Sequence, residues 1–114
     1  MTSSTNLSSK NCKSDAPALS EDAAGALLAQ VPGWAVIDGK LASSFTFRNY
    51  YETIAFVNAM AWVSHQQDHH PELMVSYKLC AVSYTTHSAG GELSENDFIC
   101  AAKVSALYVQ RAGA

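Results

Sequence analysis

Basic residues are scarce in this sequence. Seven Lys and Arg stand against ten Asp and Glu, for a formal net charge of −3. A surface that binds DNA or RNA by neutralising phosphates needs the opposite balance, so nucleic acid is not expected as a partner. Long apolar runs are also missing, and no stretch approaches the ~20 residues that a membrane-crossing helix needs. Cysteine is sparse: Cys12, Cys80 and Cys100 are odd in number, irregular in spacing and without a Cys-x-x-Cys. That pattern supports neither a disulfide framework nor a thiolate zinc site, and it fits a reducing cytoplasm. Cys80 and Cys100 fall in apolar periodic segments, as small buried residues do. No internal repeat is visible. Residues 1–18 are rich in Ser, Thr, Asn and Lys, with no apolar run of the secretory kind and no arginines of the transit-peptide kind. They are expected to form a disordered tail, followed by one domain over 19–112.

What remains is an ordinary globular balance, 48% apolar and 15% charged over 114 residues, enough for a modest core without metal or disulfide help. Ser20 is placed to cap a helix, with Glu21 and Asp22 in its first turn and Pro32-Gly33 as its stop. Two strand-like runs, Trp34 to Ile37 and Leu41 to Phe47, flank Asp38-Gly39, a strong type I′ hairpin signal. In the second run Leu41, Ser43, Phe45 and Phe47 share one face, and Ala42, Ser44, Thr46 and Arg48 the other.

Residues 49–67 predict a long central helix. Tyr50, Ile54, Val57 and Ala61 recur at helical spacing and are expected to face the sheet. Phe56, Met60 and Val63 make a second apolar stripe. A helix apolar on two sides has two surfaces to bury, and the second predicts a contact with another subunit. Residues 72–87 predict a second hairpin that bends at Ser76-Tyr77-Lys78. Its second arm turns Cys80, Val82 and Tyr84 to one face and Ala81, Ser83, Thr85 and His87 to the other. Ser94 opens a last helix, and Asp97 three residues on completes an approximate capping box. Trp34 and Trp62 are expected in the core. The order α-β-β-α-β-β-α predicts an α+β domain whose antiparallel sheet carries its helices on one face.

The histidines are not spread evenly. Three of the four lie in the run His65-Gln66-Gln67-Asp68-His69-His70-Pro71, and the fourth, His87, ends the second hairpin. Imidazole gives and takes protons near neutral pH, so a cluster at a helix-to-strand junction points to acid–base chemistry. Two other readings of the same residues stand beside it. One is a solvated helix end, where cationic histidine is favoured by the dipole. The other is a metal site, with His65 and His69 four apart on a helix and His70 or His87 as third ligand.

The spaced set is more specific than any single motif. His69-His70-Pro71, Tyr77 soon after, His87 on the following strand and Asp97 opening the last helix resemble the pterin-4a-carbinolamine dehydratase family, known also as dimerisation cofactors of a homeodomain transcription factor. Gly33-Trp34, Phe45-x-Phe47 and Leu93-Ser94 agree with it, over about residues 19–110. The chain departs from the family at His65, where members often carry glutamate, and in a loop between His87 and Asp97 one residue longer than in animal members.

The resemblance implies a four-stranded antiparallel sheet with three helices on one face, assembled as a homodimer or homotetramer. It implies loss of water from 4a-hydroxytetrahydropterin to give quinonoid dihydropterin, a step of tetrahydrobiopterin recycling. That reaction needs proton transfers but no redox cofactor and no metal. His69 and His87 would then transfer protons, and His70 would bind the ring and stabilise charge. Asp68, Pro71, Tyr77 and Asp97 would orient these groups or flank the substrate. Relatives on the same fold that act as assembly factors or transcriptional coactivators imply a non-catalytic alternative.

Overall fold

The computed structural model describes residues 6–111. Seven main elements follow in the expected order: α1 (Glu21–Leu28), β1 (Ala35–Ile37), β2 (Lys40–Thr46), α2 (Tyr50–Gln67), β3 (Glu72–Ser76), β4 (Leu79–Tyr84) and α3 (Glu95–Val109). The strands form one antiparallel sheet in the order β1-β2-β4-β3. This is the α+β architecture predicted from the sequence.

Local chemistry sets the boundaries. Ser20 accepts the Ala23 N–H and starts α1, and Asn49 does the same for α2 through Glu52. Asp38 and Gly39 both have positive φ, at 53° and 78°, as a type I′ turn requires. The second hairpin turns through Tyr77 and Lys78, with Ser76 opposite Leu79. Ser94 and Asp97 form a complete capping box at the start of α3.

The core lies between one sheet face and the helices. Leu41, Phe45, Cys80, Val82 and Tyr84 point inward from the two central strands, as the alternation predicts, and meet Phe98, Ile99, Cys100, Ala101 and Val104 of α3. Phe45, Phe47, Phe56 and Tyr108 gather into an aromatic cluster with neighbouring centroids near 5 Å, Phe45 to Phe56 at 5.1 Å and Phe45 to Tyr108 at 4.9 Å. Trp34 joins it edge-on and donates its indole N–H to Ser105 at 2.8 Å.

Three expectations are corrected. The first concerns the facing of α2. Its buried stripe is Thr53, Phe56, Met60 and Ser64, while Tyr50 and Ala61 face outward and Ile54 and Val57 lie at the margin. The two apolar stripes were nearly matched, and two polar residues decide between them. Thr53 donates to the carbonyls of Asn49 and Tyr77, and Ser64 to that of Met60, so both bury without cost of an unpaired hydroxyl. The second concerns Trp62, which is not in the core but 62% exposed on the same outward side.

The third concerns the proposed tail. Residues 1–5 lie outside the described residues, but residues 6–18 are laid down on α3. Leu7 is only 4% exposed within a short 3-10 turn, and Ala16 is buried. Asn96 holds the segment like a strand partner, accepting the Lys13 N–H at 3.0 Å and donating to the Lys13 carbonyl at 2.8 Å. Ala18 then bridges to Ser94. A few apolar anchors and one bidentate amide suffice where composition alone predicted disorder. Residue 112, the expected end of the domain, lies outside the described residues.

Candidate active site

Helix α2 must stop abruptly for the histidine pair to leave it in two directions. Asp68 adopts the left-handed conformation, φ 51° and ψ 44°, and the N–H groups of Asp68 and His69 close back on the carbonyls of Ser64 and His65. This is the usual left-handed helix end. Pro71 follows, and β3 begins at Glu72. The reversal sends His69 inward and leaves His70 exposed.

His69 is 9% exposed and its ring lies parallel to that of Tyr84, with centroids 5.5 Å apart. Its Nε2 is 2.7 Å from Oδ1 of Asp97, which is fully buried. The other carboxylate oxygen, Oδ2, accepts from the Thr86 hydroxyl at 2.8 Å and from the Ser94 N–H at 2.9 Å. Asp97 can only accept hydrogen bonds as a carboxylate, so the geometry assigns the Nε2 proton to His69. Nδ1 is then left with its lone pair, or with a second proton when the ring is cationic. Capping is therefore only part of what Asp97 does; it also fixes the tautomer and orientation of His69.

His70 and His87, separated by most of a hairpin, line one cavity of about 340 Å³. That volume is at the lower end for small-ligand sites. Its other walls come from the first hairpin turn (Asp38, Gly39), from the neighbours of β4 (Lys40, Glu72), from β4 and the residue after it (Ser83, Thr85), and from Gly91. Ser83 and Thr85 were expected on the His87 face, and they are small enough to leave the space open. His87 itself lies beyond the strand, which ends at Tyr84, and opens a 3-10 turn that follows the Thr86–Glu92 bridge.

The sequence reading missed Lys40 and Glu72. They sit on strands on either side of β4 and form an exposed ion pair at 2.7 Å. The hydrogen bond and charge of Lys40 hold the Glu72 carboxyl below its usual range, with a smaller push from His87. Glu72 follows Pro71 directly, so its closeness to His70 was readable; Lys40 was not, because only strand order brings β2 beside β4.

Several candidates fall elsewhere. Tyr77 sits at the turn of the second hairpin, while Glu72 and Ser83 pair at its opposite end. Five residues of strand put it roughly 17 Å from the cavity, so it does not flank this site within the subunit. Its carbonyl instead receives the Thr53 hydroxyl. Asp68 ends the helix and does not line the cavity. His65 is exposed and tilted against Trp62 at 6.0 Å. No three His, Cys, Asp or Glu side chains gather closely enough to hold a metal ion among the described residues, so the set His65, His69 and His70 or His87 is not assembled as ligands. No helix of the described residues is long and apolar enough to cross a membrane.

Comparison with known proteins bears on the family and the fold. The family model for pterin 4 alpha carbinolamine dehydratase matches residues 17–107. A Nitrosomonas eutropha protein named for that dehydratase is 55% identical over 101 residues, covering 88% of each chain. A Dechloromonas aromatica protein of the same name is 48% identical over 110 residues, covering 94% of this chain and 97% of its own. Among solved structures, a transcriptional coactivator/pterin dehydratase from Brucella melitensis superposes with a TM-score of 0.76 at 28% identity, over 80% of this chain and 98% of that one. A pterin dehydratase-like RuBisCO assembly factor of the alpha-carboxysome shares the fold, with a TM-score of 0.55 at 24% identity, over 66% of this chain and 86% of that one. The chain belongs to the pterin 4 alpha carbinolamine dehydratase family.

Proposed function

We propose that this chain dehydrates 4a-hydroxytetrahydropterin to quinonoid dihydropterin by histidine acid–base catalysis. The observation that carries the proposal is the meeting of His70 and His87 in one cavity; His69, the residue before His70, does not line it and is held inward by Asp97. In the reaction the C4a–O bond breaks and the oxygen leaves as water, which requires a proton from an acid. The N5 proton goes to a base as the N5–C4a double bond forms. His87 is open to the cavity and serves as the acid. His69 serves as the base through Nδ1, because Asp97 holds the Nε2 proton and stabilises the cation that results. His70 forms a wall against the flat ring and balances charge on it. The Lys40–Glu72 pair supplies polar groups for the ring's amide edge.

The names of the two solved relatives give a coactivator and an assembly role for those proteins; such a role calls on a docking surface rather than on proton-transfer groups gathered together. Their joint presence supports catalysis, in tetrahydropterin recycling and, with three free thiols, in a reducing cytoplasm. The deciding experiment is a dehydration assay with 4a-hydroxytetrahydropterin, run with and without chelator. Turnover that survives chelation is expected. Absence of turnover, or stoichiometric zinc whose removal abolishes it, would sink the reading.

We further propose that the chain forms a homodimer or homotetramer. The stripe Phe56, Met60 and Val63 no longer supports this, because Phe56 and Met60 bury against the chain's own sheet. The outward face of α2 takes over the argument, with Tyr50 and Trp62 exposed and Tyr51 81% exposed. Light scattering at micromolar concentration should show at least a dimer, and Trp62→Glu should weaken it; a monomer at all concentrations would refute it.

A further inference from the structure

Two of the three cysteines meet in space. Cys12, in the N-terminal segment, and Cys100, in α3, are 88 residues apart in the chain, and their sulfurs are 3.5 Å apart. Both are free thiols. We propose that Cys12 and Cys100 form a reversible disulfide under peroxide, which staples the N-terminal segment to α3 three residues beyond Asp97.

The placement of the two thiols differs in the way such a pair requires. Cys12 is half-buried and reachable from solvent, whereas Cys100 is fully buried. Cys12 is held in place from both sides. Its N–H donates to Oε1 of Gln67 at 2.7 Å, and its neighbour Lys13 is fixed by Asn96. The hydrogen bond from Cys100 pulls the Cys12 thiol below its usual range; burial opposes this, and the charges of His69 and Lys103 assist it. The same bond, with burial, pushes Cys100 up. Cys12 is thus the nucleophile and Cys100 the resolving thiol. The third cysteine, Cys80, is buried in the sheet and raised by burial, so it is shielded from the same chemistry. Cys12 also precedes the span 17–107 that matches the family model, so the bridge ties the segment before that span to a helix within it.

The oxidant is a hydroperoxide, with hydrogen peroxide the simplest. The Cys12 thiolate attacks one peroxide oxygen, the O–O bond breaks, and the departing hydroxide takes the proton Cys12 has released and leaves as water. Cys12 is then a sulfenic acid. The Cys100 sulfur attacks the Cys12 sulfur, the S–O bond breaks, and the Cys100 proton leaves with the hydroxyl as a second water. Two thiols lose two electrons, and the peroxide accepts them. The sulfurs must close by roughly 1.5 Å to reach bonding distance, and the hydrogen bonds that hold Cys12 and Lys13 must give by a similar amount.

The bridge closes a loop of most of the chain, the case in which a disulfide restricts the unfolded state most. The test is titration of the full chain with hydrogen peroxide, followed by mass spectrometry and thermal unfolding. The expected result is loss of about 2 Da, a Cys12–Cys100 linked peptide in a non-reducing digest, a Tm higher by roughly 10 °C, and reversal of all three by dithiothreitol. Cys12→Ser should abolish the response, and Cys80→Ser should keep it. A bridge that forms in Cys12→Ser, a disulfide between two chains, or Cys12 carried to sulfinic acid with Cys100 still free would overturn the proposal. None of these readouts depends on the dehydratase reaction.

Discussion

In the corner around Asp97 the polar groups are buried and bonded to one another: His69, Thr86 and Ser94 all converge on one carboxylate. In the cavity the groups are more open: His70 and His87 are exposed and Thr85 half-buried, and among the described residues the polar contact along its wall is the Lys40–Glu72 pair. Both regions draw on the same two segments, in alternation. His69 and Thr86 go to the corner, and His70 and Thr85 go to the cavity. One buried network thus fixes the backbone from which the open site projects, so the cavity's histidines need few bonds of their own to be positioned. The difference teaches that adjacent residues of one motif are not interchangeable, and substitutions on the two sides should fail in different ways.

The largest effect is expected on turnover. His87→Ala and His69→Ala should each lower kcat by roughly a hundredfold or more, the usual range for a lost acid or base. The two should differ in stability. His87 is exposed, so its loss should leave Tm nearly unchanged, whereas His69→Ala strips Asp97 of a buried partner and should cost about 2 kcal/mol. Equal Tm losses in both variants would erase the distinction between corner and cavity.

Asp97 separates stability from catalysis. Asp97→Ala removes three buried hydrogen bonds and should cost roughly 3 kcal/mol in denaturant unfolding. Asp97→Asn can still accept from Ser94 and Thr86, so it should fold. Its amide, however, cannot stabilise a cationic His69, and kcat should drop about tenfold or more. An Asn variant with normal kcat would reduce Asp97 to a helix cap.

His70 belongs to the other side of the comparison. His70→Ala should raise KM by about tenfold with a smaller change in kcat, as expected for lost binding rather than lost proton transfer. His65→Ala, on the outward side of α2, should change neither by more than about twofold.

Much of this contrast was legible in the residues. Alternation in β4 put Cys80, Val82 and Tyr84 inward, and the spacing of Ser94 and Asp97 announced the capping box. What could not be read was pairing set by strand order and by helix rotation. That Asp97 reaches His69, that Lys40 joins Glu72, and that Cys12 meets Cys100 are all products of the fold. The odd cysteine count argued against any pairing because spacing says nothing of tertiary neighbours. The facing of α2 escaped for a different reason: Thr53 and Ser64 look solvent-facing by type, yet backbone carbonyls satisfy both. Residues 6–18 escaped because their packing depends on Asn96, far along the chain.

The smallest effect tests whether Asp68 belongs to either region. It is exposed, ends α2 at φ 51°, and lines no part of the cavity. The left-handed conformation is unfavourable for a residue with a Cβ, and less so for aspartate than for most. A negative charge at a helix C-terminus also opposes the helix dipole. Asp68→Gly relieves both, against a gain in unfolded-chain entropy that offsets part of the benefit. The variant should therefore be more stable by about 0.5–1 kcal/mol in urea unfolding, with kcat/KM within twofold of the parent. A gain in stability together with a tenfold loss of activity would mean that Asp68 orients His69 or His70 after all, and the boundary between corner and cavity would have to be redrawn to include the helix end.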